Sequence, residues 1–145
     1  MILKVKKANE QAIIPTYATT GSSGFDLFTY KSIILPANHR LLVDTGLIFD
    51  LDPNTEIQIR TKSGNALNKG LIVLNSPATI DSDYRKTVGV ILFNTTDEDI
   101  PIEAGKAIAQ GVICPVIVAE EIIEVQEVSD PKTRKGGYGS TCRGV

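Results

Sequence analysis

The sequence contains no tryptophan, one methionine, one histidine and two cysteines. Helical periodicity is almost absent as well. Each shortage removes a class of function. Cys114 and Cys142 stand far apart with no C-x-x-C spacing, and with His39 alone they leave no ligand set for zinc. The simplest expectation puts Cys114 in a buried strand, Cys142 in a tail and His39 in a solvated loop. A formal net charge of -2 provides no global field that would draw nucleic acid. A polyanionic ligand would therefore need a local group of cations or backbone N–H groups. No stretch reaches the ~18 apolar residues of a membrane span, and the opening "MILKVKKANEQ" has too short an apolar run for a signal peptide. The expected location is cytoplasmic, with neither a membrane nor nucleic acid as partner.

What is present is β-structure. The 145 residues are 42% hydrophobic and 22% charged, which suits one globular domain with a substantial core. "TEIQIRT" (55–61) alternates apolar and polar residues, the mark of a half-buried strand. "KTVGVILFN" (86–94) is apolar on both parities and reads as a strand buried on both faces. "HRLLVDTGLIFDL" (39–51) reads as a strand broken at "DTG" by a bulge or bend around Gly46. "SIILPAN" and "GVICPVIVAEEIIEVQEV" add further strands, with Pro36 and Pro115 at ends or edges. Many short strands separated by turn signals predict an all-β sandwich or barrel. The one helix is short, "SGNALNKG" (63–70), with Ser63 as N-cap and Gly70 beyond its end.

Residues 1–128 form the expected β domain. From 129, "SDPKTRKGGYGSTCRGV" loses hydrophobic periodicity and becomes rich in glycine and cations around one aromatic, Tyr138. That composition describes either an unstructured tail or an arm that closes over an anionic ligand. Glycines bring N–H groups close, cations neutralise charge and the ring stacks. "TIDSDYRKT" (79–87) sets Asp81, Asp83 and Tyr84 at the threshold of a strand. On the residues alone, the acids either close a turn or one of them handles a proton.

Five segments, in order and spacing, resemble the motifs of the trimeric dUTP pyrophosphatases (dUTPases). "GSSGFDLFT" (21–29) resembles A-G-Y-D-L, and "TKSGNALNKG" (61–70) is similar to P-R-S-G followed by a helix. "LNSPATIDSDYRKTVGVILFN" (74–94) carries I-D-x-D-Y. "AGKAIAQGV" (104–112) looks like G-D-R-I-A-Q-L, and "GGYGST" (136–141) like G-G-F-G-S-T. One such motif is weak, whereas five in register over nearly the whole chain are specific. The resemblance implies a jelly-roll-like distorted β-barrel of the β-clip type, with one short helix. It also implies a homotrimer whose C-terminal arm, 129–145, closes an active site elsewhere in the trimer. The implied reaction is Mg²⁺-assisted hydrolysis of dUTP to dUMP and pyrophosphate, which lowers dUTP and supplies dUMP for thymidylate synthesis.

Carried over residue by residue, the resemblance makes Asp81 the base that takes a proton from water attacking the α-phosphate, and gives Asp83 a structural role. Tyr84 stacks on the deoxyribose and leaves no room for a 2′-hydroxyl. Uracil lies against a hairpin near "LNSPATI", with Asn75 as side-chain contact and Thr79, Ile80 and Gly89 beside it. Ser63 and Gly64 turn N–H groups to the phosphates, helped by Lys62 and Gln110. Lys62 stands where the family usually has arginine, so it keeps the charge but loses the bidentate fork. Asp26 touches hydrated Mg²⁺ through water. Tyr138 stacks on uracil. The γ-phosphate arginine of the family aligns with Thr133, so Arg134, one place later, is its expected substitute, with Lys132 and Lys135 nearby. Two further departures are Lys86-Thr87 in place of G-E, and Lys106-Ala107 in place of D-R.

Two other readings compete. A dCTP deaminase shares the fold but needs a glutamate three residues before the strand-terminal Asn94, where this chain has Ile91. A regulatory, protein-binding member of the same fold typically carries inserted loops, and no long insertion is visible.

Overall fold

The alternation at residues 55–61 becomes a strand with Ile57 and Ile59 buried and their neighbours half-exposed, and the rest of the domain is arranged around it. The computed structural model describes residues 1–130 and Gly136. In chain order the strands are β1 (Lys4–Lys7), β2 (Phe25–Phe28), β3 (Ile33–Leu35), β4 (Arg40–Asp44), β5 (Leu47–Asp50) and β6 (Thr55–Arg60). The single helix α1 (Ser63–Lys69) follows, then β7 (Leu71–Val73), β8 (Ala78–Ile80), β9 (Gly89–Asn94), β10 (Ile100–Ile102) and β11 (Ala107–Pro115). The all-β expectation is met.

All pairings are antiparallel. The largest sheet has the order β2-β11-β6-β8, and a second has β4-β9-β7, with β1-β5 and β10-β3 as two-stranded sheets. Strands adjacent in space are mostly distant in sequence. The core between them is aliphatic with two phenylalanines: Phe25, Leu27, Leu35, Leu47, Phe49, Ile57, Ile59, Leu92 and Ile108 are essentially inaccessible to solvent.

The break in 39–51 is sharper than a bulge. β4 and β5 belong to different sheets, joined at Thr45-Gly46, where Gly46 adopts φ +68°. A Cβ at Gly46 would lie 2.9 Å from the Ala12 methyl, so neither the conformation nor the space admits a side chain. Thr45 is fully buried and locks the corner: its N–H and its hydroxyl both donate to the Val88 carbonyl, at 3.0 and 2.7 Å.

Four local expectations are corrected. Lys62, not Ser63, occupies the N-cap position of α1, in extended conformation and without a side-chain cap; Ser63 is already helical. Chain direction is set there by the end of β6, so the cap follows from tertiary structure rather than from residue preference. β9 alternates half-buried and buried residues rather than being buried on both faces, because Gly89, Ile91 and Phe93 lie on the half-exposed side. Cys114 is half-buried, not buried, with its sulfur 3.8 Å from Arg60 Nη2. The run after Pro115 forms no strand among the described residues: Val116 donates to Asn54 O at 2.8 Å, then Ile117, Val118, Ile122, Ile123, Val125 and Val128 are exposed. β-branched residues form strands only where a neighbouring edge receives them, and none does so here. Gly70 behaves as expected, closing α1 in the left-handed conformation with its N–H on Ala66 O.

Candidate active site

A cleft of about 300 Å³ opens between the 75–87 segment and the outer face of β4 and β9, within the size of small-molecule sites. Five of the expected substrate residues line it: Asn75, Thr79, Ile80, Tyr84 and Gly89. The reason is register. β8 pairs with β6 while β9 pairs with β4 and β7, so the loop between them folds back across the edge. The Ser76-Pro77 peptide is cis and lies in the turn that enters β8. Tyr84 is exposed and its hydroxyl donates to Thr87 O at 3.2 Å, which aims the ring across the cleft mouth. Gly89 permits close packing: a Cβ there would meet Leu42 Cδ1 at 2.6 Å.

Asp81 is exposed directly after β8, and Asp83 is exposed too. The N–H of Tyr84 donates to Asp81 O at 3.1 Å, so one tight turn holds the carboxylate and the ring at a fixed separation. No side-chain hydrogen bond or ion pair within the described residues engages the Asp81 carboxylate.

Asp26, Lys62 and Gln110 form a second group. Asp26, Gln110 and Arg60 are register partners on three adjacent strands, β2, β11 and β6, so their side chains share one sheet face. Lys62, two residues beyond Arg60, returns its ammonium to the Asp26 carboxylate in a close ion pair, both side chains being partly exposed. Gln110 Nε2 donates to Thr61 O at 3.0 Å, so the amide expected to meet a phosphate has an internal partner here. Ser63 and Gly64 are exposed at the start of α1, and a Cβ added at Gly64 would meet nothing within 4 Å. A bulky ligand can therefore approach that backbone closely.

The two groups do not meet within one chain. β6 and β8 pair Ile57 with Ile80, which sets Asp81 near Glu56, at the start of β6. Lys62 lies beyond the other end. Six residues from Glu56 to Lys62 span about 20 Å at the rise of a strand. Arg134 and Tyr138 lie outside the described residues.

Sequence reading missed five lining residues, Leu42, Asp44, Ala78, Thr87 and Ile91, and also Arg60. Leu42 and Asp44 belong to the cleft only because β4 pairs with β9, some fifty residues on. Arg60 is one of the polar positions in the alternating stretch 55–61, and alternation alone does not single it out.

Mg²⁺ suits this donor set in one way only. No group of three His, Cys, Asp or Glu side chains among the described residues could hold a metal by itself. A single carboxylate, Asp26, beside phosphate-accessible backbone matches an ion carried chiefly by phosphate oxygens and its own waters.

Short antiparallel strands closing on one aliphatic core, with a small-molecule cleft at their edges, define a jelly-roll-like β protein with a nucleotide-sized site. A sequence model of the dUTPase family matches residues 10–142, and the chain belongs to that family. It is 48% identical to the deoxyuridine 5'-triphosphate nucleotidohydrolase of Nautilia profundicola over 141 residues, 97% of this chain and 99% of the relative. The corresponding protein of Hydrogenobaculum sp. is also 48% identical, over 97% of this chain and 98% of its own. Among solved structures, the dUTPase of Staphylococcus bacteriophage 80alpha with dUPNHPP superposes with a TM-score of 0.88, at 22% identity over 99% of both chains. A mutant dUTPase from phage phi11 of S. aureus, whose structure concerns coordination of a structural Mg(II) ion, gives 0.81 at 18% identity, covering 90% of this chain and 100% of that one. At these identities the superpositions establish the fold.

Proposed function

We propose that this protein hydrolyses dUTP to dUMP and pyrophosphate. One observation carries the reading: in a dUTPase-family chain, the cleft gathers Asn75, Thr79, Ile80, Tyr84 and Gly89 beside the exposed carboxylate of Asp81, which has no side-chain partner among the described residues.

Uracil enters at the Asn75 end, where backbone groups of the turn read its donor and acceptor pattern. Cytosine would leave a buried group unpaired there. The ring of Tyr84, pinned through Thr87, covers the sugar and leaves no space for a 2′-hydroxyl. Asp81 accepts the proton of the water that attacks the α-phosphate; the α–β bridging oxygen leaves with pyrophosphate. Lys62, Ser63, Gly64 and Gln110 hold the β- and γ-phosphates. For that, Lys62 leaves Asp26 and Gln110 leaves Thr61 O, which frees Asp26 to meet the waters of the ion. Mg²⁺, when bound, neutralises triphosphate charge. Arg134 and Tyr138, on the arm at 129–145, complete the γ-phosphate and uracil contacts.

A triphosphate cannot bridge about 20 Å between Asp81 and Lys62 of one copy. The spacing supports sites shared between copies, as the expected homotrimer requires, with one chain bringing the nucleoside cleft and another the phosphate group. The dCTP deaminase alternative fails at Ile91, an aliphatic residue lining the cleft that cannot shuttle protons. The product dUMP serves thymidylate synthesis, and the expected location is the cytoplasm.

Pyrophosphate release from dUTP, dCTP, dTTP and UTP, each with and without Mg²⁺, tests the reading. The expected result is Mg²⁺-stimulated release from dUTP alone. Comparable turnover of UTP would remove the Tyr84 sieve, and ammonia from dCTP would restore the deaminase.

A further inference from the structure

The helix α1 brings two of the proposed phosphate contacts, Ser63 and Gly64, yet no apolar face holds it to the domain. It has seven residues, well short of the roughly 12 at which a helix becomes even marginally stable alone. Its cap position provides no side-chain hydrogen bond, and six of its residues, Leu67 among them, are exposed. Asn65 is the one buried residue of the helix, and it is polar. We propose that Asn65 is a positioning residue, whose amide fixes the Ser63-Gly64 backbone relative to Gln110 so that both meet one polyphosphate; this rests on the dUTP reading above.

Hydrogen bonding explains why the buried residue is an amide. β6 pairs with β11 only from Gln110 onward, so Ala107 and Ile108 lie beyond the reach of β6. β11 is also irregular there, with a register shift against β2 between Ala107 and Ala109. Such an irregularity leaves ladder groups unpaired, and buried carbonyls need a donor. Asn65 supplies it: Nδ2 lies 3.2 Å from Ala107 O and 3.4 Å from Ile108 O. Both partners are acceptors, so the nitrogen of the amide must face them.

The far end of α1 is held separately. Gly70 O accepts both the N–H and the hydroxyl of Thr95, each at 2.9 Å, and Thr95 directly follows β9 in the three-stranded sheet. Near Ser63 and Gly64 there are two links to β11. Gln110 Nε2 donates to Thr61 O on one side of them, and Asn65 reaches Ala107 and Ile108 on the other. When Gln110 leaves Thr61 O for a phosphate, only the Asn65 link still ties this backbone to β11. The group that must keep its geometry during binding is therefore held by one amide.

Titration calorimetry on the full chain with Mg²⁺ tests the assignment, using dUMP and the α,β-imido analogue of dUTP. No residue of α1 lines the nucleoside cleft, so dUMP is an internal control for folding and assembly. Asn65→Ala should bind dUMP as the parent does and the analogue about tenfold more weakly, the loss expected when hydrogen bonds to charged groups are misplaced. Hydrogen exchange without ligand should show faster exchange for the amides of residues 66–70, while β9 keeps its protection. Asn65→Asp, of the same size but without the donor, is the second variant and should repeat both results. Parent-like affinity for the analogue in both variants overturns the proposal. An equal loss for the two nucleotides also overturns it, because Asn65 would then serve general stability alone. If the unaltered protein binds neither nucleotide, the inference falls together with the proposed function. If the variants lose the analogue selectively but the parent releases no pyrophosphate from dUTP, only the proposed function falls.

Discussion

Asp81 and Lys62 are the two residues whose chemistry can be separated most cleanly. Asp81→Asn preserves shape and removes only the proton acceptor, so kcat should fall by roughly 10²- to 10⁴-fold with KM little changed. Steady-state pyrophosphate release measures it, and retained turnover would remove the base assignment. Lys62 is paired with Asp26 before any ligand arrives. Asp26→Asn removes that competitor for the ammonium as well as the carboxylate near the ion. The variant should therefore need more Mg²⁺ for half-maximal activity, yet bind metal-free dUTP at least as tightly as the parent. Paired Mg²⁺ titrations and metal-free calorimetry distinguish the two effects, and weaker metal-free binding would count against release of Lys62 from Asp26.

At the level of elements, two buried polar residues, Thr45 at the β4–β5 corner and Asn94, hold strands that belong to different sheets. Asn94, at the end of β9, is inaccessible to solvent. Its Nδ2 lies within hydrogen-bond reach of the carbonyls of Leu35, Pro36 and Glu98, and its Oδ1 accepts from the N–H and hydroxyl of Thr96. Asn94→Ala would leave several of these groups unsatisfied and should destabilise the fold by about 2–4 kcal/mol, read from urea unfolding. A loss below 1 kcal/mol would mean that water replaces the amide. Strand-level features were legible in the sequence to the extent that they are local. The alternation of β6, the break at Gly46 and the C-cap Gly70 each follow from a few neighbouring residues. The motif residues around "TIDSDYRKT" were legible for the same reason, since one turn carries Asp81 and Tyr84. Asp44 and Leu42 were not, because their membership of the cleft is set by the β4-β9 register. The strand expected after Pro115 failed because β-propensity cannot show whether a partner edge exists. Ser63 lost the cap to Lys62 because β6 dictates where α1 begins.

For the whole molecule, the length of β6 is the decisive quantity, since it separates the proposed base from the proposed phosphate group. Asp81→Asn and Lys62→Ala chains should each be nearly inactive alone. Unfolded together at equal amounts and refolded, they should recover about a quarter of the sites, those that draw Asp81 from one variant and Lys62 from the other. No recovery, with trimers seen by sedimentation, would place each site within a single chain. The exposed apolar residues between Ile117 and Val128 point the same way, because an isolated copy leaves them in water.

The separation along β6 also has a genetic consequence. Where sites are composed from different copies, a defective chain spoils sites to which its normal neighbours contribute. A cell carrying one normal gene and one encoding Asn at position 81 should lose no more than half its activity, because each site draws only one base. A doubly altered chain, lacking both Asp81 and Lys62, should remove about three quarters, since only sites drawing both groups from normal copies survive. Dominance would thus grade with the number of altered groups, and the grading itself counts how many chains build each site.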